Sequence, residues 1–172
     1  LLIALAIICP DLTFPHKKFT IEDARGLNRS IYPSSLRNLQ WLGNSDRFTY
    51  LENNAILTRE VDKTSSDTLI RLRDFNKILR DAGIDTLSRM PSVNWINEST
   101  LSFTDKNKVY GVDIKKYTAS LINEFSEEAE NNDAALDGKL IAYTLKNNLF
   151  IASGGKQIQV TMDENPGIVN GQ

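Results

Sequence analysis

One cysteine and one histidine occur in 172 residues. That scarcity excludes a disulfide framework, a Cys/His zinc site and a Cys–His nucleophile pair within the chain. Charge of one sign is not in excess either, since 20 Lys and Arg stand against 22 Asp and Glu. With no basic stripe interleaved with aromatics, nucleic acid is not an expected partner. Long apolar runs are missing too. Leu1–Cys9 is nine residues long, far below the roughly 20 that cross a bilayer. There is no Gly-x-Ser-x-Gly elbow and no phosphate-cradling glycine loop.

What the opening does match is the apolar core of a secretory signal peptide, without the basic leader. A buried strand or core helix is the alternative. We expect residues 1–15 to be a signal-peptide remnant and lead-in, and the protein to be periplasmic, or secreted or in the cell envelope. Lipidation at Cys9 is not indicated, because Ala6-Ile-Ile8 lacks the small residues that precede a lipidated cysteine. The start without methionine and the end at Gly171-Gln172 lead us to expect part of a longer polypeptide.

The remainder is organised by a repeat. Tyr50-Leu-Glu-Asn-Asn-Ala-Ile-Leu57 returns as Phe103-Thr-Asp-Lys-Asn-Lys-Val-Tyr110 and as Tyr143-Thr-Leu-Lys-Asn-Asn-Leu-Phe150. An aromatic ends one short run, a polar turn centred on Asn54, Asn107 or Asn147 follows, and a second apolar run begins. Aromatic and β-branched residues suit a half-buried strand, and Asn tolerates the positive φ of tight hairpins. Each copy therefore reads as a β-hairpin. Trp41 and Trp95 precede the first two copies at matching places, and Asp137-Gly138 marks a turn before the third.

Asn107 and Asn147 are 40 residues apart, the period of a propeller blade of about 40–50 residues. Asn54 and Asn107 are 53 apart. The surplus lies between Leu72 and Met90, where the pattern changes to period 3.6. Phe75, Ile78, Leu79 and Ala82 form one face, with Asp74 expected as N-cap and Gly83 as the C-terminal stop. The expected fold is all-β: residues 16–172 as an incomplete β-propeller of about three four-stranded antiparallel blades, with one short inserted helix. The units run from Leu36 to Leu72, from Val93 to Ile122, and from Ala134 onward. Three blades cannot close a ring, so bare end faces and poor solubility are expected.

No residue emerges as a catalytic, substrate-binding, cofactor-binding or metal-binding candidate, and no cofactor is expected. His16 lies in a polar lead-in, and Thr20-Ile-Glu-Asp23 has the spacing of a capping box. Glu127, Glu128, Glu130 and Asp133 read as a solvated connection between the second and third units. Asp163-Glu164 reads as an acidic turn, and Arg71 and Arg73 as the polar face of an outer strand. Trp41 and Trp95 recur in register, which favours packing in the blade core over a binding surface. Asn28-Arg-Ser30 and Asn97-Glu-Ser99 match the glycosylation acceptor pattern, a triplet that often arises by chance.

Several pieces in order resemble the amino-terminal part of dipeptidyl peptidase IV-type enzymes of the prolyl oligopeptidase family, in particular bacterial members of the Bacteroidetes kind. They are Phe19-Thr-Ile-Glu-Asp23, Tyr32-Pro-Ser-Ser-Leu-Arg-Asn-Leu-Gln-Trp41 and Met90-Pro-Ser-Val-Asn-Trp95. Ala142-Tyr-Thr144 with Asn147-Asn-Leu-Phe150, and Pro166-Gly-Ile-Val-Asn-Gly-Gln172, complete the set. The chain departs from the pattern at Ala135-Leu-Asp-Gly138, where such blades often have Ser-Pro-Asp-Gly. The resemblance implies an eight-bladed propeller joined in the same chain to an α/β-hydrolase domain. A Ser-Asp-His triad there releases X-Pro or X-Ala dipeptides from peptides with a free amino terminus. It also implies propeller glutamates that hold the substrate ammonium, placed beyond Gln172, and homodimerisation, where members show it, through other regions. This segment would then be scaffold and substrate gate. The alternative is a periplasmic propeller that binds without cutting.

Overall fold

The computed structural model describes residues 20–26, 35–165 and 167–171. The leader, Cys9, His16 and the Asn28 triplet lie outside the described residues. Residues 1–35 and 36–172 form two separate units. In the first, helix α1 (Ile21–Ala24) starts with the expected capping box. Thr20 Oγ1 accepts from the Asp23 N–H at 3.2 Å, and the Asp23 carboxylate accepts from the Thr20 N–H at 3.0 Å.

The second unit consists of three four-stranded antiparallel sheets, each in simple sequence order. The first holds β1 (Arg37–Trp41), β2 (Arg47–Glu52), β3 (Ala55–Glu60) and β4 (Asp67–Arg71). The second holds β5 (Asn94–Trp95), β6 (Thr100–Asp105), β7 (Lys108–Asp113) and β8 (Thr118–Glu124). The third holds β9 (Glu130–Ala134), β10 (Leu140–Leu145), β11 (Asn148–Ser153) and β12 (Lys156–Gln159). This is the expected partial β-propeller.

The repeat is exact in its pairing. Tyr50 faces Leu57, Phe103 faces Tyr110 and Tyr143 faces Phe150. In the last two copies the rings stack across the strands, with centroids 5.4 and 5.6 Å apart. The turns are less uniform. Asn53-Asn54 and Lys146-Asn147 both take positive φ, as two-residue hairpin loops require. In the middle copy Lys106 has φ 53° and Asn107 does not have positive φ. Asn107 instead turns its amide inward, donating to Phe125 O at 2.9 Å.

Helix α2 (Leu72–Asp81) follows β4 without a loop. Asp74 is not its N-cap. Arg71 holds that place and makes no side-chain cap, because a guanidinium has no acceptor for a first-turn N–H, while the Leu72 N–H is taken by Asn54 O at 2.8 Å. Burial of Phe75, Ile78 and Leu79 contributes about 2 kcal/mol each, against about 1 kcal/mol for a capping side chain. Packing fixes the start. Gly83, at φ +73°, stops the helix as expected, with Ile84 N–H returning to Leu79 O at 2.9 Å. Ala82, at the end of the predicted apolar face, is exposed.

The sheets meet through their facing sides. Thr49, Leu51, Ile56 and Ile70 look toward the second sheet and share a core with Trp95, Leu101, Phe103, Val112 and the helix side chains. The Phe75 ring meets Phe103 edge-on at 5.4 Å. The opposite face of the second sheet gives Val109 to a second core with Phe125, Ile141, Tyr143 and Ala152. Two expectations need correction here. The acidic run is not only a connection, since Glu130–Ala134 is the strand β9, held by pairing with β10 although its side chains are mostly exposed. Arg71 and Arg73 do not alternate along one outer strand, because Arg71 ends β4 and Arg73 lies in α2.

Candidate functional site

Antiparallel order places the β2–β3 and β6–β7 turns at the same end of the sheets as the linkers between sheets. Two clefts open there, on either side of the β6–β7 turn. The first, of about 360 Å³, is lined by Arg37, the linker Leu87–Ser92, Thr104 and Asp105. The second, of about 430 Å³, is lined by Lys106, Asn107, Phe125–Glu127, Ala129 and Asn132. Adjacent residues of one turn thus face different clefts.

The wall of the first cleft is irregular backbone, yet asparagines fix it. Asn76 exchanges two hydrogen bonds of 2.8 Å with the backbone of Leu87. Asn54 Oδ1 accepts from Met90 N–H at 3.3 Å. Asn38 donates to Val93 O at 3.1 Å and accepts from its N–H at 2.9 Å. Buried backbone groups are thereby paired, which is what lets a coil hold its shape. Arg37 and Arg89 project from this frame into solvent. In the second cleft Asn107 closes the exit of β8, where its carbonyl accepts from Phe125 N–H at 3.0 Å. The cleft's charged lining side chains are Lys106 and Glu127. Both clefts therefore present mixed charge on partly hydrogen-bonded walls, suited to holding polar or charged groups.

The groups with displaced acidity sit elsewhere. The Asp113 carboxyl, in the β7–β8 turn at the far end, is held below the usual carboxylate value. The Lys116 N–H lowers it most, partial burial opposes this, and the Lys115 N–H and the Lys116 ammonium add to it. Glu60 is lowered by its hydrogen bond to Lys63, with which it pairs at 2.6 Å, and Lys63 is raised by the same contact. Burial raises the Tyr143 phenol, which donates to Gln157 Oε1 at 2.5 Å. Among the described residues no group of three His, Cys, Asp or Glu side chains is placed to hold a metal.

Of the residues weighed in the sequence, Glu127 lines the second cleft, while Glu128, Glu130 and Asp133 are exposed. Asp163 is tied into its turn, accepting from Asn170 at 2.8 Å. Asn97 folds its amide oxygen onto the N–H groups of Ser99 and Thr100. The tryptophans part company. Trp95 is 8% exposed, as a core residue should be, but Trp41 is 61% exposed. Its neighbours on the same side of the first sheet are better covered, since Arg59 lies over the Phe48 ring at 5.0 Å and Tyr50 is buried and donates to Ser66 Oγ at 2.8 Å. Sequence reasoning missed Lys106 in the second cleft, and Arg37, Arg89 and Asp105, which only the topology brings to the first.

No protein-family model matches the chain. Among solved structures, it is similar to a protein of Bacteroides ovatus named as a dipeptidyl aminopeptidase IV. The TM-score is 0.64 at 23% identity, over 77% of this chain and 18% of that one. The two share the fold. A dipeptidyl peptidase 4 of Porphyromonas gingivalis follows with TM-score 0.44 and 16% identity, over 83% of this chain and 21% of the other. TolB of Acinetobacter baumannii gives 0.40 and 11%, over 73% and 32%. The chain thus spans less than a fifth of the length of the Bacteroides ovatus protein, at 18%.

Proposed function

We propose that this chain is the amino-terminal propeller segment of an exported serine dipeptidyl peptidase that removes X-Pro or X-Ala dipeptides from peptides with a free amino terminus. One observation carries the reading, the fold shared with the Bacteroides ovatus protein over 77% of the chain. The ordered sequence pieces from Phe19 to Gln172 support it, and the apolar run Leu1–Cys9 supports export. The segment's own work is scaffolding and gating. Its buried apolar side chains join neighbouring sheets, while the linker end keeps two clefts of mixed charge open. Those clefts form part of the wall past which a peptide travels to an α/β-hydrolase domain carried by the same polypeptide.

The test is hydrolysis of a Gly-Pro chromogenic amide by the natural polypeptide that carries this sequence, beside a variant in the serine of its Gly-x-Ser-x-Gly elbow. Dye release by the natural protein and not by the variant is the expected result. A folded natural protein that releases no dye from Gly-Pro or Ala-Ala amides overturns the peptidase reading.

A further inference from the structure

The surface around Trp41 has a covered counterpart within the same chain. Trp95 lies against the first sheet, where its indole N–H donates to Thr49 Oγ1 at 2.8 Å. Trp41 stands in the same register one sheet earlier, since it pairs with Phe48 as Trp95 pairs with Leu101. The hairpins align as Phe48-Thr49-Tyr50 with Leu101-Ser102-Phe103. Trp41 nevertheless stands in solvent. With Leu36, Leu39, Gln40 and Phe48 it lines an apolar hollow of about 280 Å³.

A hydroxyl in the register of Thr49 marks both interfaces that are closed. Thr49 receives Trp95. Ser102, its equivalent in the second sheet, donates to Leu136 O of the third-sheet region at 2.9 Å, where Ala134 stands in place of a tryptophan.

We propose that Trp41 seats on a further four-stranded sheet of the same polypeptide, outside these residues. That sheet carries Ser or Thr in the register of Thr49, and its hydroxyl accepts the Trp41 indole N–H. Continuity with the interface between the first and second sheets supports this occupant, because the same ring in the same register is buried there. A second copy of the chain, stacked head to tail, fits less well. The open face of the third sheet presents Ala142 in this register, and a methyl group would leave a buried indole donor unpaired. The inference rests on the fold and not on the proposed activity, so the two fail separately.

The test uses the natural polypeptide with p-benzoylphenylalanine at Leu39, beside Trp41, irradiated and mapped by mass spectrometry. The expected product is an intramolecular crosslink to a strand with Ser or Thr in the register of Thr49. Trp41→Phe and the Val substitution of that Ser or Thr should each lower the denaturation midpoint. Combined, they should lower it no further than the larger single change. A crosslink to a second copy, or to a segment without that hydroxyl, overturns the proposal. So does absence of crosslinking in a protein that melts like the unsubstituted one.

Discussion

Trp95 and Thr49 are joined across the first and second sheets by a single 2.8 Å hydrogen bond between side chains that are both buried. Thr49→Val keeps the branching and removes the acceptor, so the indole N–H is left buried and unpaired. The expected loss is about 1–3 kcal/mol. Trp95→Phe loses burial as well, but the double variant should cost less than the sum of the singles, because the orphaned donor is gone. Urea denaturation of the four proteins measures the cycle. A Thr49→Val loss below about 0.3 kcal/mol, the additivity error for independent sites, would show that the bond carries nothing.

Asn123 does similar work between the second and third sheets, using one amide group for two partners. Its Nδ2 donates to Lys139 O at 2.9 Å and to Ala152 O at 3.0 Å. In Asn123→Asp a carboxylate would face two carbonyl oxygens with no proton to offer. We expect a loss of about 3 kcal/mol at neutral pH. Burial and the carbonyls would raise the folded-state pKa of the new carboxyl above its unfolded value. Stability should therefore recover as pH falls through that raised pKa, where the acid regains one donor. A pH-independent deficit between pH 7 and the acid limb, measured by thermal melts, would refute this account.

Gly83 and Gly138 share a left-handed backbone, at φ +73° and +70°, but not a neighbourhood. A Cβ at Gly83 meets nothing within 4 Å, whereas one at Gly138 would lie 2.6 Å from Val109 Cγ1. Gly83→Ala should cost about 1–2 kcal/mol, the conformational term alone. Gly138→Ala should cost about 2–4 kcal/mol, because overpacking is added. Gly83→Asn should recover most of the first loss, since Asn tolerates this region. Equal losses for the two alanine variants would contradict the difference in packing.

The hairpins and the helix were legible because each is a local pattern. Aromatic and β-branched alternation around Asn54 and Asn147, and the 3.6 period of Phe75, Ile78 and Leu79, are set by residues close in sequence. Features that depend on a neighbouring sheet were not legible. Trp41 repeats Trp95 in sequence, but burial is decided by what stands opposite, and among the described residues only Trp95 has a sheet to rest on. Glu130–Asp133 has no apolar alternation to announce a strand, because β9 is held by its ladder with β10 and not by side-chain burial. The clefts were beyond reach for the same reason. Arg37, Arg89 and Asp105 are far apart in the chain, and the linker joining them is shaped by Asn38, Asn54 and Asn76.

The surroundings of Asp113 set the sign of its pH-dependent contribution. Its Oδ1 accepts from the N–H groups of Lys115 and Lys116, both at 3.0 Å, and its carboxyl is held below the ordinary value. A carboxyl depressed in the folded state stabilises above its unfolded pKa, and that stabilisation is lost as pH falls through the folded one. The stability gap between the natural sequence and Asp113→Ala should thus be flat at neutral pH and close on the acid side of the usual carboxylate range. A gap that widens there would reverse the assignment.

The open face of the third sheet makes the last prediction. Leu140, Ala142, Ile151 and Ile158 share that face through the pairings Ala142–Ile151 and Ile151–Ile158, and Leu140 and Ile158 are large and exposed. Beside it, all four side chains of the edge strand β12 are exposed. An apolar face next to an unpaired strand edge is a template for association. The 172-residue chain produced alone should therefore self-associate. Leu140→Glu with Ile158→Lys should shift it toward monomer while changing stability by no more than about 0.5 kcal/mol for each exposed site. Light scattering after size exclusion reads the first effect, and urea denaturation the second. An unchanged mass distribution in a variant of unchanged stability would place the associating surface elsewhere, with the Trp41 face as the next to be charged.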